Sequence, residues 1–243
     1  MSSAKRTSPI GASLHRLDAS YTAALVPPMT SLVGKVPDAI TVLYHSFAER
    51  YPAIGPNAFR ALNANLLSDV GIGVVPLPGR LDITIRVDQI TGQAVNLQNR
   101  DEVQFALDCC VLAHGVVRKL AAETTVGPTT LAISTWLSID GGRSVVDSLI
   151  ERVSPRSSFQ FDRKRIGAET LRYLPRIGFS SLNEGWQAVT AAEPSVIAEA
   201  DLFLRRDYVF SVNTKYSTID QQLGFVDSST SSIFEWLGIK LKG

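Results

Sequence analysis

The chain has 243 residues, 45% of them hydrophobic and 19% charged, with 24 lysines and arginines against 23 acids for a formal net charge of +1. This composition is ordinary for a soluble globular protein and lacks the basic excess usual in tight nucleic-acid binders. No apolar run reaches the length of about 18 residues needed to span a membrane, and the first residues lack the apolar core of a secretory signal, so a cytoplasmic location is expected. Cys109 and Cys110 are the only cysteines, and adjacent residues do not make a disulfide framework.

Residues 1–20, rich in Ser and Ala with Pro9 and Gly11, predict a flexible N-terminal arm ahead of one domain over 21–243. Tyr21 to Val26 predicts a short strand ended by Pro27. Asp38 is placed to cap a helix running to Arg50, with Ile40, Leu43, Tyr44 and Phe47 on its buried stripe. Pro56 to Leu67 reads as a second, weaker helix. Leu81, Ile83, Ile85 and Val87 alternate with Asp82, Thr84, Arg86 and Asp88 as a half-buried strand; Thr91–Gly92 then signals a turn, and Ala94 to Leu97 a returning strand.

Asp101 to Glu123 predicts the longest helix, mostly buried, with its charges on one arc. Leu131, Ile133, Thr135, Leu137 and Ile139 alternate with Thr130, Ala132, Ser134, Trp136 and Ser138 as another half-buried strand. Asp140-Gly141-Gly142 is a turn, and Ser144 to Val153 a short helix. Leu182 to Ala192 reads as helix. From Val196 to Val212 the parity never breaks, which predicts one long strand with Glu199, Asp201 and Asp207 on its polar side. In the apolar C-terminal segment 228–243, Asp227 or Ser232 is placed to cap a short helix.

Few chemical signatures occur. The three histidines, His15, His45 and His114, show no triad spacing, and there is no zinc-ligand motif or phosphate-binding glycine loop. Cys109 and Cys110 lie mid-helix among apolar residues, a packing role. Asp82 with Asp88, and Glu199 with Asp201, are the carboxylate pairs that could hold a divalent metal; any solvated strand face has the same spacing.

The stretch from Glu151 to Phe179 departs from this background. It carries seven basic residues against three acids, with Phe159, Phe161, Tyr173 and Phe179 interleaved. Cations with rings suit phosphate contact and base stacking. The candidate anion-binding residues are therefore Arg156, Arg163, Lys164, Arg165, Arg172, Arg176, Phe159 and Tyr173. The competing reading pairs these arginines internally with Glu199, Asp201 and Asp207.

Strands with one polar face, and helices enough to cover only the other, predict an α+β fold: a mostly antiparallel sheet with helices packed on one face. The function expected is a non-enzymatic binding and assembly protein. It would form a homo-oligomer through Phe234, Trp236, Leu237 and Ile239, and contact RNA, DNA or an acidic protein through residues 151–179. No cofactor is expected. The alternative is a metal-dependent hydrolase of phosphate esters using Asp82, Asp88, Glu199 or Asp201.

Overall fold

The computed structural model describes residues 9–62, 66–153, 176–198 and 201–242. Its sheet is built around β1 (Ile10–Val26), so residues 10–20 are strand and not arm. The alternation of β1 is hidden by a bulge. Leu14 pairs with Leu137 and Arg16 with Trp136, two steps on β1 against one on its neighbour. Core-facing positions therefore change from even (Ala12, Leu14) to odd (Leu17, Ala19, Tyr21, Ala23), with His15 as the extra residue.

Helix α1 (Val36–Arg50) ends where expected but starts earlier: Lys35, not Asp38, holds the cap position, Pro37 and Asp38 lie in the first turn, and Ala39, Leu43 and Phe47 are buried. The helix expected over 56–67 is instead a short 3-10 turn leading into β2 (Phe59–Leu62). Pairing with β3 (Gly71–Leu77) outweighs a weak helical period there. On the other side of β3, Gly71 permits close approach of the following strand, because a Cβ at this position would stand 2.5 Å from the Ile85 carbonyl oxygen. Next come β4 (Leu81–Arg86) and β5 (Gln89–Leu97). They turn at Val87–Asp88; Thr91 and Gly92 lie within β5, not at a turn.

Helix α2 (Arg100–Leu120) is capped by the Asn99 side chain, which accepts from the Glu102 N–H at 2.9 Å. β6 (Thr125–Ile139) keeps strict alternation and α3 (Arg143–Val153) follows. The helix expected over 182–192 is absent: β7 (Arg176–Ser181) and β8 (Trp186–Pro194) form a hairpin. Ala188, Thr190 and Ala192 are buried on one side of β8, a period of two that the small residues disguise. β9 (Asp201–Phe210) is shorter than expected but keeps its parity, with Leu202, Leu204, Tyr208 and Phe210 inward.

The last helix, α4 (Ile219–Leu237), starts well before Asp227. Its cap is Thr218, in a capping box with Gln221. Gly238 closes it in the left-handed conformation, at φ 73°, and β10 (Ile239–Leu241) runs parallel to the start of β1.

The strand order is β2-β3-β4-β5-β1-β6-β9-β8-β7, antiparallel throughout, with β10 beside β1. The described helices pack on one face, as the α+β reading expects. α1 and α2 cover the β3–β5 side and α3 the β6–β9 side, with α4 between them. Buried residues form two apolar clusters, and Arg206, 2% exposed on the inward side of β9, lies where they meet. Among the described residues no helix is long and apolar enough to cross a membrane.

Candidate nucleic-acid interface

The other face of the sheet carries the polar half of every alternating strand. Cross-strand register arranges it in rows. One row runs Arg176, Ala191, Arg205, Ser134, Asp18 across β7, β8, β9, β6 and β1, roughly 19 Å at ordinary strand spacing. Another runs through Gln187, Val209, Thr130, Thr22, Thr91 and Thr84. Charged side chains dominate the first row, hydroxyl and amide side chains the second.

The exception is the row Glu193, Phe203, Trp136, Arg16, in which two rings lie between an acid and a cation. The Trp136 and Phe203 rings are tilted at 49° with centroids 4.8 Å apart, and the Arg16 guanidinium carbon stands 4.8 Å from the Trp136 centroid. Both rings are half-buried. An aromatic pair on the solvated side of a sheet gains little from core burial, and offers a π surface to a ligand.

Arg16, Arg205 and Arg60 on this face are partnered. Arg16 donates to Asp18 twice, Nε at 2.9 Å and Nη2 at 2.5 Å, and Asp18 also accepts the Asn96 N–H at 2.7 Å. The bond to Asp18 raises the Arg16 pKa. Partial burial of Asp18 opposes ionisation, yet the Arg16 and Asn96 bonds hold its carboxyl below the usual range. Arg205 Nε lies 3.1 Å from both Asp207 oxygens, and Arg60 Nη2 lies 2.5 Å from Asp82.

One row beyond Phe203 and Trp136, the bulged His15 donates from Nδ1 to Asp201 Oδ2. The Asp201 side chain is 2% exposed and the His15 ring 49%. The pair is separated by 186 positions in sequence, so no spacing could announce it. The available signal was parity: β9 alternation puts Asp201 and Phe203 on the polar face, and β6 alternation puts Trp136 there.

Of the residues expected to bind an anion, Arg156, Phe159, Arg163, Lys164, Arg165, Arg172 and Tyr173 lie outside the described residues. Arg176 is described: it is exposed on β7, in the row of Arg205. The acids proposed to neutralise the stretch have other partners, since Asp201 faces His15 and Asp207 faces Arg205. Of the expected oligomer contacts, Phe234, Leu237 and Ile239 are buried within the chain's own core, and Trp236 is 57% exposed.

The carboxylate pairs do not converge. Asp82 sits on β4 and Asp201 on β9, four strands apart in the sheet, roughly 19 Å. Asp88 falls in the turn after β4, and Glu199 is outside the described residues. Among the described residues no group of three or more His, Cys, Asp or Glu could hold a metal ion. The two thiols are in the core layer, where burial pushes Cys110 up to about 12 and raises Cys109 as well.

No family model and no curated protein matches the chain. Among solved structures, the chain is similar to a rolling circle replication initiator protein from Geobacillus stearothermophilus, at 12% identity and a TM-score of 0.34, covering 90% of this chain and 80% of that one.

Proposed function

We propose that the open face of the sheet binds single-stranded nucleic acid, with the basic stretch 151–179, which runs into β7, extending the surface. The observation that carries this reading is the Trp136–Phe203 pair, capped by Arg16, on a face that also carries a row of hydroxyls and amides. Bases stack on such rings at about 1–3 kcal/mol each, and the hydroxyls and amides supply sequence-tolerant hydrogen bonds. Because Arg16 and Arg205 are already held by Asp18 and Asp207, stacking rather than charge dominates on the face itself. Self-association belongs to the same reading, through Trp236 and the outer edge of β7.

Fluorescence anisotropy with a labelled single-stranded oligonucleotide, across a salt series, tests this. Each neutralised phosphate contributes about −0.7 to the slope of log K against log salt. Binding through the open face alone gives a shallow slope, near −1; engagement of all seven cations of residues 151–179 steepens it toward about −5. Trp136→Ala is expected to weaken binding about tenfold while barely changing the slope. Unaltered affinity in that variant, or no measurable binding at low salt, overturns the assignment.

A further inference from the structure

The His15–Asp201 pair is built differently from the other charge pairs of this face. Arg16–Asp18 and Arg205–Asp207 join neighbours on one strand and Arg60–Asp82 joins strands two positions apart, with both partners partly exposed in each. Asp201 instead is a buried carboxylate, and its described partner is a half-exposed imidazole from a strand two positions away across the sheet. Removing a carboxylate from water is expensive and such a pair adds little stability, so its retention calls for another role. A bulge places the imidazole, and bulges commonly re-aim a side chain beside a functional site.

The proton arrangement is defined by the contact. A carboxylate is acceptor-only, so Nδ1 carries the hydrogen at this contact and Nε2 is the ring nitrogen left to exchange a proton with a ligand. A carboxylate fixing one tautomer of a histidine whose other nitrogen accepts a proton is the arrangement of a general base. The stacking rings lie one row away, about 7 Å along the strands. That separation is on the scale of a nucleotide, between a stacked base and its sugar.

We infer that His15 is a general base acting on single-stranded RNA bound to this face, with Asp201 as its positioning residue; the inference rests on the binding reading above. Nε2 takes the proton of a ribose 2′-hydroxyl as that oxygen attacks the adjacent phosphorus. The O2′–P bond forms and the P–O5′ bond breaks. The departing 5′-oxygen takes a proton from His15, which returns to its neutral form. The products are a 2′,3′-cyclic phosphate and a 5′-hydroxyl, with no net consumption of water, metal or oxidant. Asp201 stabilises the imidazolium between the two transfers.

The full chain, incubated with a labelled oligoribonucleotide in chelator, is expected to give cyclic-phosphate ends by mass spectrometry, and none from the all-2′-deoxy strand. His15→Gln should lower the cleavage rate at least 100-fold, the usual scale of general-base loss. It should leave anisotropy binding of the 2′-deoxy strand within twofold. His15→Ala should regain cleavage on addition of free imidazole, and Asp201→Asn should lose at least tenfold in rate without loss of binding; a purely structural pair predicts neither. Binding without cleavage, or cleavage that persists in His15→Gln, overturns this inference and leaves the binding reading standing. Absence of binding by both strands overturns the two together.

Discussion

His114 shows how one buried polar group sets a pH limit on the fold. It lies on α2, 3% exposed, and its Nε2 meets the Tyr21 hydroxyl of β1 at 2.6 Å. Burial first, and then the nearby Arg118 charge, lower its pKa from 6.5 to about 4. Burial also raises the Tyr21 pKa, so the phenol stays protonated and donates to the neutral ring. An unfolded chain takes up a proton on this histidine below pH 6.5, whereas the folded core refuses it until about pH 4. The contribution is therefore complete above pH 6.5 and is lost as pH falls toward 4, by about 3 kcal/mol at the lower end. His114→Gln keeps a hydrogen-bonding partner for Tyr21 and removes the titration. Urea unfolding at pH 7 and pH 4.5 should show a smaller pH dependence in the variant than in the parent protein; equal differences would mean that His114 is not the group responsible.

At the scale of elements, α4 and β7 bear on assembly. Trp236 on α4 borders an apolar groove with Ile177, Phe179, Ile233 and Leu237, beside the strand that ends the sheet. Trp236→Glu places a charge there without touching the buried Phe234 or Leu237 cluster. If this groove joins copies of the chain, light scattering after size exclusion should show the parent protein as a dimer or larger and the variant as a monomer. The same elements show what a sequence reading can and cannot reach. β4, β6, α1 and α2 were legible because each presents one uninterrupted period to one buried face. Of β1 only Tyr21–Val26 was, because the His15 bulge reverses its parity midway, and β8 was not, because Ala188, Thr190 and Ala192 carry little contrast against their neighbours. β3 is a continuous apolar run with two glycines, which no period distinguishes. Trp136 was visible as an odd member of a polar strand face, but its pairing with Phe203, and that of His15 with Asp201, depend on the order of strands in the sheet.

Across the whole molecule, the two apolar clusters are divided by a polar seam centred on Arg206. Its Nη2 donates to Thr135 Oγ1 at 3.0 Å and its Nη1 to the Thr230 hydroxyl, while Nε has no hydrogen-bond partner among the described residues. The guanidinium carbon lies 5.8 Å from the Phe234 ring centroid. Burial lowers the Arg206 pKa from its ordinary value, and Tyr208 and the Asp227 charge oppose that shift only in part. On the helix above the seam, the part-buried Thr230 and the exposed Ser232 bond back to the Val226 and Ser228 carbonyls, which weakens α4 as a helix. Arg206→Met fills a similar volume, removes the buried charge and leaves Thr230 its bond to Val226. The variant is expected to be more stable than the parent by about 1–3 kcal/mol, since apolar replacement of a costly buried charge commonly stabilises. For a chain of this size that is a rise of roughly 2–10 °C in Tm, readable by calorimetry. A fall in Tm of similar size would show instead that the guanidinium, its two threonines and the Phe234 ring hold the two clusters together.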